Sequence, residues 1–432
     1  MKTRLIIIFA MCALTARSEV FTLEQCIDSA LQNNISVQQQ RNQYQLQRLQ
    51  YNQQKQNLAP SISGNIGQSF SFGRATGADN VTVSQNMANT SFGLNANLLL
   101  FDGLGMKYRI DEARQNMQTS EAETEGLETD IRMNISTMFL QVLLNKELLA
   151  VADTQLQVTR QKLERNTELV REGRLAEGEL YTLQAQAAKE EHSMLQAENT
   201  VRLSLLDLAQ AMNVVYDETF DIVTPLPEDL EGTLLPTNEQ VYESAIVNRA
   251  EIRAAESKLK AQESALKGAK SAYSPTLTAG ANFGTGYYHR FGDTNEAFGK
   301  QLGDNLQTNV ALNLSIPIFD KMQTPNTVKR QKIAIENQKL AITQTKQTLR
   351  KDIDQAYYNA LAAQTQQSSA ERAAESAKEA YRYAEQKYEA GRATSYEYYE
   401  AKNNYMKAVS EQLQAKYNYL FRVKILEYYM GK

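Results

Sequence analysis

Between residues 309 and 320, in NVALNLSIPIFD, Val310, Leu312, Leu314, Ile316 and Ile318 point one way, and Asn309, Asn313 and Ser315 point the other. An earlier stretch, 91–103 (SFGLNANLLLFDG), sets Phe92, Leu94, Ala96, Leu98 and Leu100 against Ser91, Gly93, Asn95 and Asn97. A period of two held over this length predicts strands with one apolar and one polar face. Two further stretches alternate in the same way. In 61–72 the odd positions are all small or polar, and Ile62, Ile66, Phe70 and Phe72 fall on the even ones. In 276–287 the polar face is Thr276, Thr278, Gly280, Asn282, Gly284 and Gly286.

The remaining length is helical in pattern. Thr22 opens Thr-Leu-Glu-Gln, a capping box that predicts a helix running on to about Leu58, before Pro60. Adding 215 to each number finds the same features: a capping box at Thr237 and Gln240, and a closing Pro275. After the second strand of each pair the offset becomes 218, with Phe101-Asp102 matching Phe319-Asp320. Asp102 and Asp320 are suited to cap the long helices that begin there. No proline interrupts 103–172, where Leu127, Ile131, Ile135, Met138, Val142 and Leu149 keep helical spacing; Leu349, Ile353, Ala356 and Ala360 continue that face in the second copy. A helix of about 70 residues rises roughly 105 Å. Gly173-Arg174 and Gly391-Arg392 end the two long helices, and return helices run from about Glu179 to Met212 and from Glu397 to Tyr429. The chain is a duplication. Residues 19–213 form the first repeat, 214–236 a proline-containing linker packed around the helices at mid-height, and 237–432 the second repeat.

Composition and address sharpen this picture. Lys2 and Arg4 precede an apolar run ending at Leu14, and Ala16-Arg17-Ser18 supplies a small-x-small site, so residues 1–18 are expected to be a secretory signal peptide. Cys12 lacks the small residues that precede a lipidated cysteine, which leaves Cys26 alone in the mature chain, with no disulfide or cysteine-based metal site. No later stretch is expected to be long and apolar enough to form a transmembrane helix. The net charge of -4 argues against a nucleic-acid partner.

The strands have the length of tilted membrane-barrel strands. Their polar faces carry Gly, Ser, Thr and Asn rather than charges, and Phe70, Phe72, Phe92 and Tyr287 lie toward the loop ends like an interfacial girdle. Four strands cannot close a barrel, and open edges cannot face lipid, so strands must be shared between subunits.

Taken together, the sequence resembles the TolC family of outer-membrane efflux proteins over essentially the whole mature chain. The resemblance rests on Ala30 to Asn33 (A-L-x-N), Pro60 and Pro275, the two Phe-Asp pairs, and the Gly-Arg tips at Gly173 and Gly391. It departs at Ile35, where the family often has proline. The resemblance implies a mainly α fold with a membrane β-barrel: a homotrimer whose twelve-stranded barrel in the outer membrane continues into a periplasmic α-helical tunnel. It implies a periplasmic adaptor and an inner-membrane transporter as partners, with outer-membrane lipid around the barrel. It also implies site residues at the helix tips. Glu397 and Glu400 correspond to acidic residues that ring the periplasmic mouth, and Glu179, Tyr388 and Arg392 to links that hold it shut. Arg392 lies one position from the family's arginine, whose own place is taken by Ala393.

No enzyme motif, cofactor site or metal site is expected. Glu190-Glu191-His192 reads as a solvated helix face rather than a metal site. Two other functions fit the same pattern: the channel of a type I protein-secretion system, and a pore-less periplasmic coiled-coil structural or adaptor protein.

Overall fold

The structure is a computed structural model that describes residues 20–76, 80, 82–84, 86–224 and 235–431. The expected signal peptide lies outside the described residues, as does 225–234 of the linker. The elements run β1 (Val20–Phe21), α1 (Leu23–Asn33), α2 (Ile35–Gln56), β2 (Ser61–Ser71), β3 (Arg74–Thr76), β4 (Thr82–Ser84), β5 (Met87–Phe101), α3 (Gly105–Arg171) and α4 (Glu177–Ala211). They continue as β6 (Asp221–Ile222), α5 (Asn238–Asn248), α6 (Ala250–Ser271), β7 (Thr276–Arg290), α7 (Phe298–Asp304), β8 (Gln307–Ser315), α8 (Gln323–Glu389) and α9 (Ser395–Tyr429). Under the offset of 215, α1 and α2 map residue for residue onto α5 and α6; under 218, α3 and α4 map onto α8 and α9.

The chain divides into two compact units. One joins the residues up to Arg41 with Thr124–Ala250 and Lys346–Lys432, and the other joins Asn42–Glu123 with Glu251–Thr345. The first is helical. Its core brings Cys26, Ala30, Leu31 and Val37 against Ile135, Phe139, Val142 and Leu143 of α3 and Leu205 and Leu208 of α4. Burying each Leu or Ile here contributes roughly 1.5–3 kcal/mol. The expected apolar line is present: Ile135, Val142, Leu349, Ile353, Ala356 and Ala360 are buried. Within the linker, β6 pairs in parallel with β1.

Both capping boxes form, at Thr22 with Gln25 and at Thr237 with Gln240. The helices they open are not continuous, however. Each breaks after 11 residues, at Asn34 (ψ 122°) and Arg249 (ψ 130°), whose extended backbone ends one helix before the next begins. Asn34 recaps the chain at once: its Oδ1 accepts from the backbone N–H of Ser36 at 2.9 Å and of Val37 at 3.3 Å. A second correction concerns α3, which contains a stretch long and apolar enough by composition to cross a membrane. Such a stretch is also what a core helix requires, and Ile135, Phe139, Val142 and Leu143 of α3 are buried against other helices.

The second unit holds an antiparallel sheet in the order β2-β5-β7-β8. The register unites the faces that the alternation defines. Ser61, Asn65, Asn95, Asn97, Thr278, Asn282, Asn309, Asn313 and Ser315 share one side. Asn95 Nδ2 donates to Asn65 Oδ1 at 2.9 Å, and Asn282 Nδ2 to Asn95 Oδ1 at 2.7 Å, so three strands are tied by an amide ladder. The opposite side is apolar and open, with Ile66 77% and Val310 75% exposed. Among the described residues nothing covers it. β8 stops at Ser315 rather than continuing toward Asp320, because Pro317 has no N–H to extend the ladder. Above the end of β8, the free edge of β7 is covered by α7. Gln301 accepts from the Tyr288 N–H at 2.9 Å, and Asn305 donates to the Gly286 carbonyl at 2.8 Å.

At each strand-to-helix handover two consecutive residues turn left-handed before the long helix begins: Gly103 and Leu104 (φ 67° and 68°), and Lys321 and Met322 (φ 55° and 65°). The helices therefore start at Gly105 and Gln323 rather than directly after the aspartates. Asp102 and Asp320 still cap them, accepting from Met106 N–H at 3.0 Å and Thr324 N–H at 2.7 Å.

Candidate functional site

At their far ends α3 and α8 stop in the same way. Gly173 (φ 72°) and Gly391 (φ 69°) are left-handed, and each is followed by an Arg whose N–H reaches back to the helix, Arg174 to Leu169 O and Arg392 to Lys387 O, both at 2.8 Å. This is a glycine-dependent C-cap. It turns the chain into α4 and α9 and sets Glu179 and Glu397 at equivalent positions, 218 residues apart.

Their surroundings differ because the turns that precede them differ: Ala176-Glu177-Gly178 stands where the second copy has Thr394-Ser395-Tyr396. Thr394 completes a capping box: Glu397 Oε2 accepts from the Thr394 N–H at 2.9 Å and from its hydroxyl at 3.2 Å. The equivalent of Thr394 in the first copy is Ala176, which makes no side-chain cap. Glu179 is therefore not held in a capping box and instead accepts a hydrogen bond from Ser395 Oγ, bridging the two hairpins. The backbone hydrogen bond from Thr394, with that from its side chain, holds the exposed Glu397 carboxyl below its ordinary value.

The other expected tip residues do not gather into one cluster. Tyr388 stacks on Tyr398 with ring centroids 5.0 Å apart, and among the described residues no hydrogen bond joins it to Glu179. Arg392 and Glu400 are exposed, and neither side chain makes a hydrogen bond or ion pair among the described residues. Gly173 and Gly391 form the turns, and a Cβ at either would meet open space, so only their backbone conformation requires glycine.

Behind the tips, four helices meet on charged side chains of which sequence reasoning singled out only Glu190. Lys402 of α9 and Glu190 of α4 are buried and paired at 3.1 Å. Lys402 also donates to Thr159 Oγ1 at 2.7 Å, and Glu190 Oε1 accepts from Gln155 at 2.8 Å and Gln186 at 2.7 Å. Glu190 Oε2 has no partner among the described residues. Glu190 thus does not lie on a solvated face, which corrects that expectation, although its neighbour Glu191 does, pairing with Arg160 at 2.9 Å. Burial lowers the Lys402 pKa, partly offset by Glu190.

Closer to the tip, Lys162 pairs with Glu385 at 2.8 Å and donates to the hydroxyl of the fully buried Tyr398. Tyr381 donates to the same carboxylate at 3.0 Å. Burial pushes Glu385 up, but the hydrogen bonds from Lys162 and Tyr381 outweigh it and its pKa falls below the ordinary value. Burial raises the Tyr398 hydroxyl above its usual range. A signal for this cluster was present in the repeat. The equivalents of Lys162, Tyr381, Tyr388, Tyr398 and Glu190 are Ala380, Leu163, Val170, Leu180 and Ala408. Polar groups stand where the other copy is apolar.

The sequence profile of the outer membrane efflux proteins matches residues 26–214 and 241–432. The chain belongs to the outer membrane efflux protein family. Among solved structures it is similar to the CusC channel (18% identity, TM-score 0.77, covering 94% of this chain and 91% of that one). It is also similar to the CmeC outer membrane channel of Campylobacter jejuni (18%, 0.77, 95% and 85%) and to the outer membrane protein VceC of Vibrio cholerae (18%, 0.76, 95% and 96%). At such identities these likenesses establish the fold. No curated protein sequence matches this one. Membership of the outer membrane efflux protein family makes the chain an outer-membrane efflux duct, and the family consists of channels rather than enzymes.

Proposed function

We propose that this chain forms, as a homotrimer, the passive exit duct of a tripartite efflux system. A periplasmic adaptor and an inner-membrane transporter dock on it, and small toxic molecules leave through it. The observation that carries this reading is a sheet with an exposed apolar face and two unpaired edges, β2 and β8. Such edges are tolerated in hydrocarbon only when further copies close them. Glu397 and Glu400 of three copies form the acidic ring at the periplasmic mouth. Glu179, Tyr388 and Arg392, at tips turned by Gly173 and Gly391, take part in holding the hairpins together.

The test joins mass to conductance. Light scattering of the detergent-solubilised protein is expected to give a trimer, and planar bilayers a small cation-selective conductance blocked by multivalent cations from the periplasmic side. Glu397→Gln with Glu400→Gln should weaken selectivity and block while the trimer persists. Gln serves the capping box as well as Glu does, as Gln25 and Gln240 show in this chain, so the variant isolates charge from helix capping. Unchanged selectivity would make these glutamates ordinary helix charges, and a monomer would overturn the duct.

A further inference from the structure

The connection between β7 and β8 lies at the end of the sheet away from the long helices. β5 runs from Met87, opposite Arg290, to Phe101, opposite Leu277, and only then leads into α3. The connection carries α7, whose contacts fix the side of the sheet on which it sits. Alternation places Phe283, Thr285, Tyr287 and His289 on the apolar side of β7, and Gly284, Gly286, Tyr288 and Arg290 on the polar side with Asn282 and the amide ladder. Besides its bonds to the strand edge, α7 meets the apolar set. Thr285 Oγ1 donates to the Leu302 carbonyl at 2.7 Å, and the Tyr287 and Phe298 rings meet edge-on with centroids 5.1 Å apart. Exposure agrees with these contacts: Thr285, Tyr287 and His289 are half-buried, whereas Tyr288 and Arg290 are exposed.

The layer beneath α7 is aromatic and extends along the sheet. His289 packs on Tyr287 and Phe291, and Phe291 stacks on Phe72. Phe298 and Phe291 nevertheless stay 50% and 48% exposed. Lys300, also exposed, pairs with Glu296 at 2.7 Å. The region thus joins an apolar flank, continuous with the open apolar face of the sheet, to a charged one. The matching connection of the first hairpin is built of β3 and β4 instead, with Arg74, Thr76, Thr82 and Ser84 in them.

Resting on the barrel reading above, we propose that α7 is an anchor seated outside the barrel in the outer leaflet of the membrane, not a lid over the pore. The occupant of its apolar flank is lipid. Phe298 and Phe291 meet acyl chains near their headgroup end, where aromatic rings of a barrel gather. The Lys300–Glu296 pair stays among headgroups and water, as charged heads do at such a boundary. Two observations carry this. The half-exposed rings continue the lipid-facing side without a break, so the same removal from water stabilises them. A lid would have to lie across the polar side, where Tyr288 and Arg290 are uncovered. The anchor belongs to the second hairpin alone, so each copy sets one into the membrane.

The chain contains no tryptophan, so a single introduced indole reports without background. Phe298→Trp, Tyr288→Trp and Leu312→Trp are each made in the full-length protein, and light scattering checks that each keeps the parent's oligomeric state. The proteins are reconstituted into phosphatidylcholine vesicles with brominated acyl chains, and separately into unbrominated vesicles titrated with iodide. Bromine should remove the emission of Phe298→Trp to a similar extent as that of Leu312→Trp, on the apolar face of β8, and leave Tyr288→Trp bright. Iodide should quench Tyr288→Trp and spare the other two. Phe291→Trp is expected to follow Phe298→Trp and takes its place if that variant does not fold. If Leu312→Trp responds to bromine but Phe298→Trp responds to iodide, α7 stands in water and the anchor is wrong. If neither quencher reaches Phe298→Trp while Leu312→Trp responds to bromine, a second copy covers α7, and lipid is the wrong occupant. If Leu312→Trp itself is quenched by iodide and not by bromine, the barrel reading fails and the anchor with it.

Discussion

At the scale of single residues, the tip region shows how substitutions between repeats redirect a side chain. Glu179 and Glu397 occupy the same place in their hairpins, but Thr394 locks the second into a cap and Ala176 leaves the first to meet Ser395. Behind them, Lys402 and Glu190 form a pair that is out of water and tied to Thr159, Gln155 and Gln186. Removing one partner of such a pair leaves an uncompensated buried charge. Lys402→Met is therefore expected to cost about 3–5 kcal/mol, and Lys402→Met with Glu190→Gln to recover much of that loss. Denaturant unfolding followed by helical circular dichroism measures both. Equal losses in the single and double variants would mean that the pair's charge is not what stabilises the helices.

At the scale of elements, the strand-to-helix handovers were legible in part. The Phe-Asp pairs marked them, and the aspartates do cap. The two left-handed residues between strand and helix were not legible, because Leu104, Lys321 and Met322 carry no local preference for positive φ. What holds the first handover is tertiary. A Cβ on Gly103 would overlap the Ser274 side chain, and one on Gly105 would come within 2.6 Å of Ser271 Oγ. Gly103 has φ 67° as well, so Gly103→Ala adds backbone strain to overlap. It should destabilise the sheet by about 1–3 kcal/mol. Lys321→Ala, at the equivalent position of the second copy, exchanges one side chain for another and should change little. Heating the folded protein to the loss of its gel-shifted form compares the two, and equal midpoints would refute the close-packing argument.

For the whole molecule, the decisive feature is a sheet whose two faces differ in chemistry but not in cover. Leu312 and Asn313 are both exposed in the single chain, so burial within it cannot tell lipid from water. The two-residue period can. A water-soluble maleimide should modify Asn313→Cys and Thr278→Cys in intact outer membranes and leave Leu312→Cys and Leu277→Cys unmodified, with a lipid-soluble thiol reagent giving the reverse. Equal labelling of both sets by the water-soluble reagent would exclude a membrane barrel.

The sequence by itself determined the repeat, the four strands and their faces, the long helices and the glycine turns at their tips. Each of these is written in local periodicity, in a capping box or in a residue with restricted φ, and needs no distant partner. Only the tertiary structure decided the breaks at Asn34 and Arg249 and the pairing of β5 with β7 that joins the repeats. It also decided that Glu190, read locally as part of a charged surface run, is buried against Lys402, a residue 212 positions away. A carboxylate on a helix is exposed or buried according to which helices pack on it, and chain-local pattern holds no record of that choice. Divergence between the two copies was the one trace left in the sequence, with Glu190 standing opposite Ala408.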